Sequence, residues 1–122
     1  MLEYVLKVLV LDDDEALLRL LRLTLASEGF EVVTATNGLD GLDKAQNEDP
    51  DVILLDLEMP VMDGRTFFRR LRSQGDQTPV LILSAYGAKA AQRELEAEAS
   101  LDKPFDSDEL MRELRHLASA RP

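Results

Sequence analysis

The sequence contains no cysteine, and its 14 basic residues are far outnumbered by 24 acidic ones. Without cysteine, neither a disulfide framework nor a thiolate zinc site can form. The net charge of −10 opposes non-specific binding to nucleic acid or to an anionic membrane surface, because both are themselves negatively charged. We therefore expect no direct contact with nucleic acid and no membrane partner.

Long apolar runs are also missing. Every apolar stretch is far shorter than the ~20 residues that a membrane-spanning helix requires. Residues 1–4 lack the basic start and apolar core of a signal peptide. These features favour a cytoplasmic protein. The length of 122 residues and the hydrophobic content of 45% are typical of a single globular domain over residues 1–122.

Short aliphatic segments alternate with longer segments of helical period along the whole chain. Residues 8–11, 52–55 and 80–83 are continuous aliphatic runs, which are typical of strands buried on both faces of a parallel sheet. This alternation predicts five strand–helix units that build an α/β fold, with helices on both faces of the sheet.

Polar residues mark the expected helix ends. The first helix should begin near Asp14 and stop at Gly29, and Asn37 should open a second helix, which Gly41 weakens. Asp63 is the expected N-cap of the third helix, and residues 106–109 resemble a capping box for the last one.

The stretch from residue 87 to residue 99 is rich in Ala and Glu and also favours helix. Leu95 is its only large aliphatic residue, so its apolar face is poor. We expect this fourth helix to be the least firmly packed of the five, and to be mobile or partly unwound.

Polar side chains follow three of the aliphatic strands. Asp12 and Asp13 follow the first, Asp56 follows the second, and Ser84 follows the third. Parallel strands end at one edge of the sheet, where open α/β folds place their chemistry. Three neighbouring carboxylates repel each other, and Mg²⁺, which prefers oxygen ligands, would balance their charge. Alternatively, the acidic run at residues 12–15 only caps the first helix.

Four segments, residues 8–13, 51–64, 79–87 and 103–105, together resemble the receiver domain of bacterial two-component response regulators. They occur in the order of that family and at nearly its spacing, and the likeness covers almost the whole chain. The resemblance implies a flavodoxin-like, doubly wound fold in which the five-stranded parallel sheet has the strand order 2-1-3-4-5.

The resemblance also implies roles for individual residues. Asp56 corresponds to the phosphoacceptor. Asp13 and Asp56 correspond to direct Mg²⁺ ligands, Asp12 to a ligand through water, and Glu58 to a ligand through its backbone carbonyl. The implied phosphodonor is a sensor histidine kinase or a histidine phosphotransfer protein, and the implied readout is protein contact with an output protein or domain.

Two further residues correspond to groups that contact the bound phosphoryl group: the hydroxyl of Ser84 and the ammonium of Lys103. The peptide bond between Lys103 and Pro104 is expected to be cis. Glu58 and Tyr86 flank the site and should tune the lifetime of the phosphoryl group. Beyond self-phosphorylation from small donors and autodephosphorylation, we expect no enzymatic activity.

The chain departs from the family near its fourth helix. Ser100 stands three positions before Lys103, where the family usually has an aromatic residue whose movement reports phosphorylation. The separation of Ser84 and Lys103 is also shorter than is usual in the family, so the fourth helix or its following loop should be shortened. Ser84 and Ser100 are therefore the expected switch positions, and the output mechanism is the feature most altered.

Three other functions remain open. A receiver-like binding module that no longer switches is favoured by Ser100. A small phosphohydrolase with Asp56 as nucleophile would have Glu58 as a second acid, but the chain offers no residues for a cap. A flavin carrier is disfavoured, because no Gly/Ser/Thr-rich loop follows the first strand. The only histidine, His116, is expected to be exposed or half-packed on the last helix.

Overall fold

The computed structural model describes residues 4–120, in which strands and helices alternate throughout. In chain order the elements are β1 (Lys7–Leu11), α1 (Glu15–Ser27), β2 (Glu31–Ala35), α2 (Gly38–Glu48), β3 (Val52–Asp56), α3 (Gly64–Ser73), β4 (Val80–Ser84), α4 (Ala88–Leu95), β5 (Ala99–Asp102) and α5 (Ser107–Ala120). All strand pairs are parallel, and the order in the sheet is β2-β1-β3-β4-β5. The expected α/β fold and strand order are confirmed.

The two faces of the sheet carry separate apolar cores. Alternate side chains of a strand point to opposite faces, so both faces of the sheet are apolar. Helices α1 and α5 pack on one face, and α2, α3 and α4 pack on the other. The three central strands β1, β3 and β4 are almost wholly buried. Each buried Leu, Ile or Val stabilises the fold by about 1.5–3 kcal/mol relative to an exposed one. These strands therefore hold the residues at their ends in fixed positions.

Three helices start at the N-caps that the sequence predicts. Asp14, Asn37 and Asp63 each accept a hydrogen bond from the backbone N–H three residues later, at 3.1, 2.9 and 2.8 Å. At α5, the Asp106 carboxylate accepts from the N–H groups of Asp108 and Glu109. These bonds satisfy N–H groups that have no partner inside the helix.

The fourth helix is shorter than the composition of residues 87–99 predicts. It ends at Leu95, and Glu96 takes a left-handed conformation with a φ of 60°. Residues from Ala99 onward belong to β5 instead, where Ala99 pairs with Leu81. Tertiary pairing with β4 thus overrides the local helix propensity, and the helical expectation for the end of this stretch was wrong. The shortening of this unit, in contrast, is confirmed.

Within residues 4–120, none of the helices has the length and hydropathy needed to cross a membrane.

Candidate functional site

Four elements deliver polar side chains to the carboxyl edge of the sheet. Asp12 follows β1 directly, and its N–H still donates to the Ala35 carbonyl of β2 at 3.1 Å. Asp56 is the last residue of β3 and Ser84 the last of β4. Lys103 follows β5, and its N–H donates to the Ser84 carbonyl at 2.9 Å. Strand pairing therefore brings together residues that are far apart in the sequence.

Three carboxylates converge at this edge. Asp12, Asp13 and Asp56 each place one carboxylate oxygen so that all three atoms lie within 4.8 Å of one another. Asp12 is 2% exposed and Asp56 is 6% exposed, whereas Asp13 faces solvent. The backbone N–H of Asp14 orients Asp12 through a 2.9 Å hydrogen bond to its Oδ1. An all-oxygen donor set that is open to water on one side fits Mg²⁺.

Lys103 supplies the positive charge at this site. Its Nζ lies 2.9 Å from Oδ2 of Asp12 and 3.5 Å from Oδ1 of Asp56. The Lys103–Pro104 peptide bond is cis, as the resemblance implied. We call Asp12, Asp13, Asp56 and Lys103 the acidic site. It holds three carboxylates against one ammonium, so it carries a local excess of negative charge that favours a bound cation.

Burial and the neighbouring charges shift the pKa values of two groups in the acidic site. Burial raises the pKa of Asp56 and the charge of Asp12 raises it further, while Lys103 and the Glu58 backbone N–H lower it, leaving a pKa of about 6. For Lys103, burial lowers the pKa, but the hydrogen bond and charge of Asp12 and the charge of Asp56 together raise it above its ordinary value. The ionised form of Asp56 is thus costly without additional positive charge.

Ser84 reaches the same edge but makes local contacts. Its hydroxyl is buried, donates to the Tyr86 carbonyl at 2.9 Å and accepts from the Tyr86 N–H at 3.2 Å. The Tyr86 side chain itself is 83% exposed. The Glu58 side chain also faces solvent, while its backbone N–H lowers the pKa of Asp56.

Ser100 lies away from the acidic site. It is paired with Ile82 inside the sheet, and its hydroxyl donates to the side-chain carbonyl of Gln92 on α4 at 2.6 Å. The structure therefore ties this position to α4 rather than to the carboxylates. His116 is exposed on α5, which confirms its expected position.

Two glycines near the acidic site were not singled out by the sequence. A Cβ on Gly64 would lie 2.5 Å from the Asp56 carbonyl oxygen, and a Cβ on Gly38 would lie 2.7 Å from the Met62 carbonyl oxygen. The only sequence signal at each was an Asn or Asp just before it, which indicated a helix cap. Their close backbone contacts depend on tertiary packing and leave no local pattern.

A parallel, doubly wound sheet with this acidic site at its carboxyl edge places the chain among the flavodoxin-like α/β proteins, which carry their ligand sites at that edge. The family model described as response regulator receiver domain matches residues 8–115. The chain belongs to the response regulator receiver domain family, which confirms the resemblance seen in the sequence. Receiver domains are signalling modules that interact with histidine kinases and output domains in general.

Curated relatives agree with this assignment. The response regulator MprA of Mycobacterium sp. (strain KMS) is 39% identical over 114 residues, which cover 91% of this chain and 50% of that protein. MprA of Mycobacterium avium (strain 104) is 37% identical over 115 residues, which cover 92% and 50%. The chain therefore spans about half the length of the curated relatives it matches.

Solved receiver structures have the same fold. The receiver domain of the Francisella response regulator 1452 has a TM-score of 0.86 and 33% identity, covering 93% of this chain and 96% of that one. The chemotaxis protein CheY4 of Vibrio cholerae has a TM-score of 0.85 and 34% identity, covering 93% and 99%. The receiver domain of the Pseudomonas aeruginosa sensor histidine kinase PA1611 has a TM-score of 0.84 and 28% identity, covering 96% and 100%, and its structure contains a magnesium ion coordinated in the active site cleft.

Proposed function

We propose that the chain is a phosphoacceptor module that takes a phosphoryl group from a phosphohistidine onto Asp56 in the presence of Mg²⁺. The donor is a sensor histidine kinase or a histidine phosphotransfer protein, and the signal passes on by protein contact. The observation that carries the proposal is the acidic site itself. Three carboxylate oxygens lie within 4.8 Å of one another, and a lysine ammonium lies 2.9 Å from one of these carboxylates.

The donor set fits the metal that this function needs. Asp13 and Asp56 would bind Mg²⁺ directly, Asp12 through water, and Glu58 through its backbone carbonyl. When bound, Mg²⁺ supplies positive charge that neutralises the carboxylates and the oxygens of the incoming phosphoryl group. The proposal is supported by the oxygen-only chemistry of the site and by the exposure of Asp13, which leaves room for water ligands.

The residues of the chain have distinct tasks in the transfer. The Asp56 carboxylate oxygen forms a bond to phosphorus while the bond from phosphorus to the donor imidazole breaks, and the imidazole nitrogen keeps the bonding pair and takes up a proton. Lys103 already contacts both Asp12 and Asp56, and its ammonium would pair with an oxygen of the phosphoryl group on Asp56. The Ser84 hydroxyl would exchange its bond to the Tyr86 carbonyl for one to another phosphoryl oxygen.

An exposed apolar stripe on α1 supports docking of a protein donor. Leu20 is 59% exposed and Leu23 is 72% exposed, and with the exposed Ala16 they follow the spacing of one helix face. Asp14 caps this helix beside the acidic site, so a donor bound on the stripe would lie near Asp56. Replacing both leucines by alanine should slow transfer from a protein donor and leave labelling by acetyl phosphate unchanged.

A receiver-like module that binds partners without switching is the second candidate. The hydrogen bond between Ser100 and Gln92 favours it, because it ties β5 to α4 at the position where the family usually has a mobile aromatic residue. Such a module would keep the acidic site but would not change shape on phosphorylation.

The deciding experiment is intact-mass analysis after incubation with acetyl phosphate, with and without Mg²⁺. We expect one added phosphoryl group on the wild type that requires Mg²⁺ and is absent in Asp56→Asn. Asp14→Asn is the matched control, since it removes a nearby exposed carboxylate while asparagine still caps α1. An adduct that persists in Asp56→Asn would refute Asp56 as the acceptor, and Mg²⁺ binding without any adduct would favour the non-switching module.

A further inference from the structure

The loop between β3 and α3, residues 57–63, contains a strained backbone position. Val61 has a φ of 68° and is 80% exposed. The Met62 N–H donates to the Pro60 carbonyl at 2.7 Å, which closes a three-residue γ-turn around Val61. A positive φ is unfavourable for a β-branched residue, and turns of this type are rare. No packing of the exposed Val61 side chain explains why the turn persists.

The turn is held from outside by the first residue of α2. The Gly38 N–H donates to the Met62 carbonyl at 3.0 Å, and the Met62 side chain is buried in the core beneath α2 and α3. A Cβ on Gly38 would lie 2.7 Å from the Met62 carbonyl oxygen and 2.9 Å from its Cγ. Such distances are below van der Waals contact, so this approach of α2 to the loop requires glycine.

The same loop is fixed at its other end next to the phosphoacceptor. The Gly64 N–H donates to the Leu57 carbonyl at 2.9 Å, and Gly64 also packs against the backbone of Asp56. Between these two anchors lies Glu58, two residues beyond Asp56. The position of the Glu58 backbone is therefore set by an anchor at Leu57 and by a second anchor at Met62.

We infer that Gly38 and Met62 are positioning residues for the cation site: the contact between α2 and the loop keeps the Glu58 backbone beside Asp56, and the strain at Val61 is retained for that purpose. Neither residue belongs to the acidic site. Strained backbone persists where the surrounding structure over-determines it, and such positions cluster at functional sites. The inference rests on the proposed function, because it assigns these residues to the Mg²⁺ site.

The first test is Gly38→Ala, with Mg²⁺ affinity of the unphosphorylated protein measured by calorimetry. Loss of an outer contact that orients a metal ligand typically weakens metal binding by roughly tenfold or more, and we expect an effect of that size. Hydrogen exchange of the Gly64 amide, which donates to the Leu57 carbonyl at the other anchor of the loop, should accelerate in the same variant without metal. Leu39→Ala is the matched control, because Leu39 is the next residue of α2 and points to solvent; it should change neither quantity.

The second test is Val61→Gly, which adds no atoms and is compatible with folding. Glycine adopts a positive φ without strain, so the thermal stability should be maintained or raised. Glycine also adopts many other conformations, so the turn should hold the Met62 carbonyl less firmly against Gly38, and the Mg²⁺ affinity should fall severalfold. If the turn has no part in positioning the cation site, the substitution should change the thermal stability alone.

The outcomes separate the inference from the function on which it rests. Absence of Mg²⁺ binding by the wild-type protein would overturn the proposed function. Mg²⁺ binding of equal affinity in the wild type, Gly38→Ala and Val61→Gly, together with unchanged exchange at Gly64, would overturn the inference alone. If Gly38→Ala does not fold, Val61→Gly decides the question by itself.

Discussion

The acidic site and the corner of the molecule at residues 87–102, which contains α4 and β5, are held in place by different forces. The acidic site stands on β1 and β3, whose core residues are fully buried. In α4, by contrast, the buried residues are Ala88, Ala91 and Leu95, and Gly87 provides no side-chain cap. Apolar packing therefore holds the acidic site in place, whereas α4 has little apolar surface with which to pack against the sheet.

Polar bonds replace this missing packing at the α4–β5 corner. The Glu94 carboxylate accepts from Arg65 at 2.7 Å and from Arg69 at 3.0 Å, which ties α4 to α3. Gln92 ties α4 to β5 through Ser100. Exposed ion pairs contribute little to global stability and are weakened by salt. From this difference we predict that α4 moves at lower cost than the acidic site.

The largest expected effect comes from removing packing beneath the acidic site. Leu54→Ala creates a cavity in β3, and changes of this kind cost about 2–5 kcal/mol. Leu95→Ala, the corresponding change in α4, should cost less, because Leu95 lies at the helix end where the surroundings can relax. Urea unfolding of both variants measures the difference, and equal losses would show that α4 is packed as firmly as the central sheet.

The second prediction concerns the cost of the charge on Asp56. Its pKa is about 6 in the folded protein against an ordinary value of 3.8, so the folded state holds the proton more tightly than the unfolded state. Stability should therefore fall as the pH rises through this window, and Asp56→Asn should remove the penalty. At pH 7.5 in EDTA we expect the variant to be more stable by up to about 3 kcal/mol, with the gain shrinking as the pH falls and vanishing by about pH 3.

Mg²⁺ provides the control for this pH effect. Added Mg²⁺ should raise the melting temperature of the wild type, because a ligand that binds only the folded state stabilises it. The Asp56→Asn variant should respond much less. Equal melting temperatures of wild type and variant at pH 7.5 in EDTA would show that burial and the charge of Asp12 do not oppose ionisation of Asp56.

A smaller effect is expected at the start of β4. The Glu98 carboxylate accepts from the Val80 N–H at 2.7 Å and from Arg72 at 2.8 Å. Glu98→Ala leaves a buried N–H without its acceptor, which should cost about 1–2 kcal/mol in urea unfolding. Glu98→Gln keeps an acceptor oxygen and should cost less. Indistinguishable losses in the two variants would mean that the charge, not the hydrogen bond to Val80, is the stabilising feature.

The smallest change in global stability is expected for the bonds of Glu94. Glu94→Gln should lower the free energy of unfolding by less than about 1 kcal/mol, because both pairs are exposed. Amide hydrogen exchange within α4 should nevertheless accelerate severalfold, and high salt should have the same effect on the wild type. Asp40→Asn, which breaks a pair inside α2, is the control. Strong protection across α4 in every sample would refute a mobile fourth helix.

The sequence predicted most of the acidic site because its pattern is local and repeated. A polar residue stands at or just after the end of three aliphatic strands, and parallel strands end at one edge, so Asp12, Asp56 and Ser84 could be placed together. The N-caps at Asp14, Asn37 and Asp63 were equally accessible, since a capping side chain bonds within its own helix turn. The family resemblance added Lys103, whose role depends on contacts far along the chain.

Gly41 shows where reasoning from sequence misjudged a position. On propensity it weakens the second helix, but a Cβ at Gly41 would lie 2.2 Å from Cδ2 of Leu11 and 3.2 Å from Cε1 of Phe67. The glycine lets α2 pack closely on β1, directly below Asp12. No local rule reveals this, because the neighbour that requires glycine lies on another strand.

Local patterns were enough to predict the alternation of strands and helices, the helix starts and the acidic residues, because these depend on periodicity and on bonds within a few residues. Contacts between distant segments set where α4 ends, which partners hold it, and how Gly38 and Gly64 bring the loop at residues 57–63 against α2 and Asp56. Those features depend on close packing between segments that are distant in the sequence. There, the fit of one backbone against another outweighs the secondary-structure propensity of each segment.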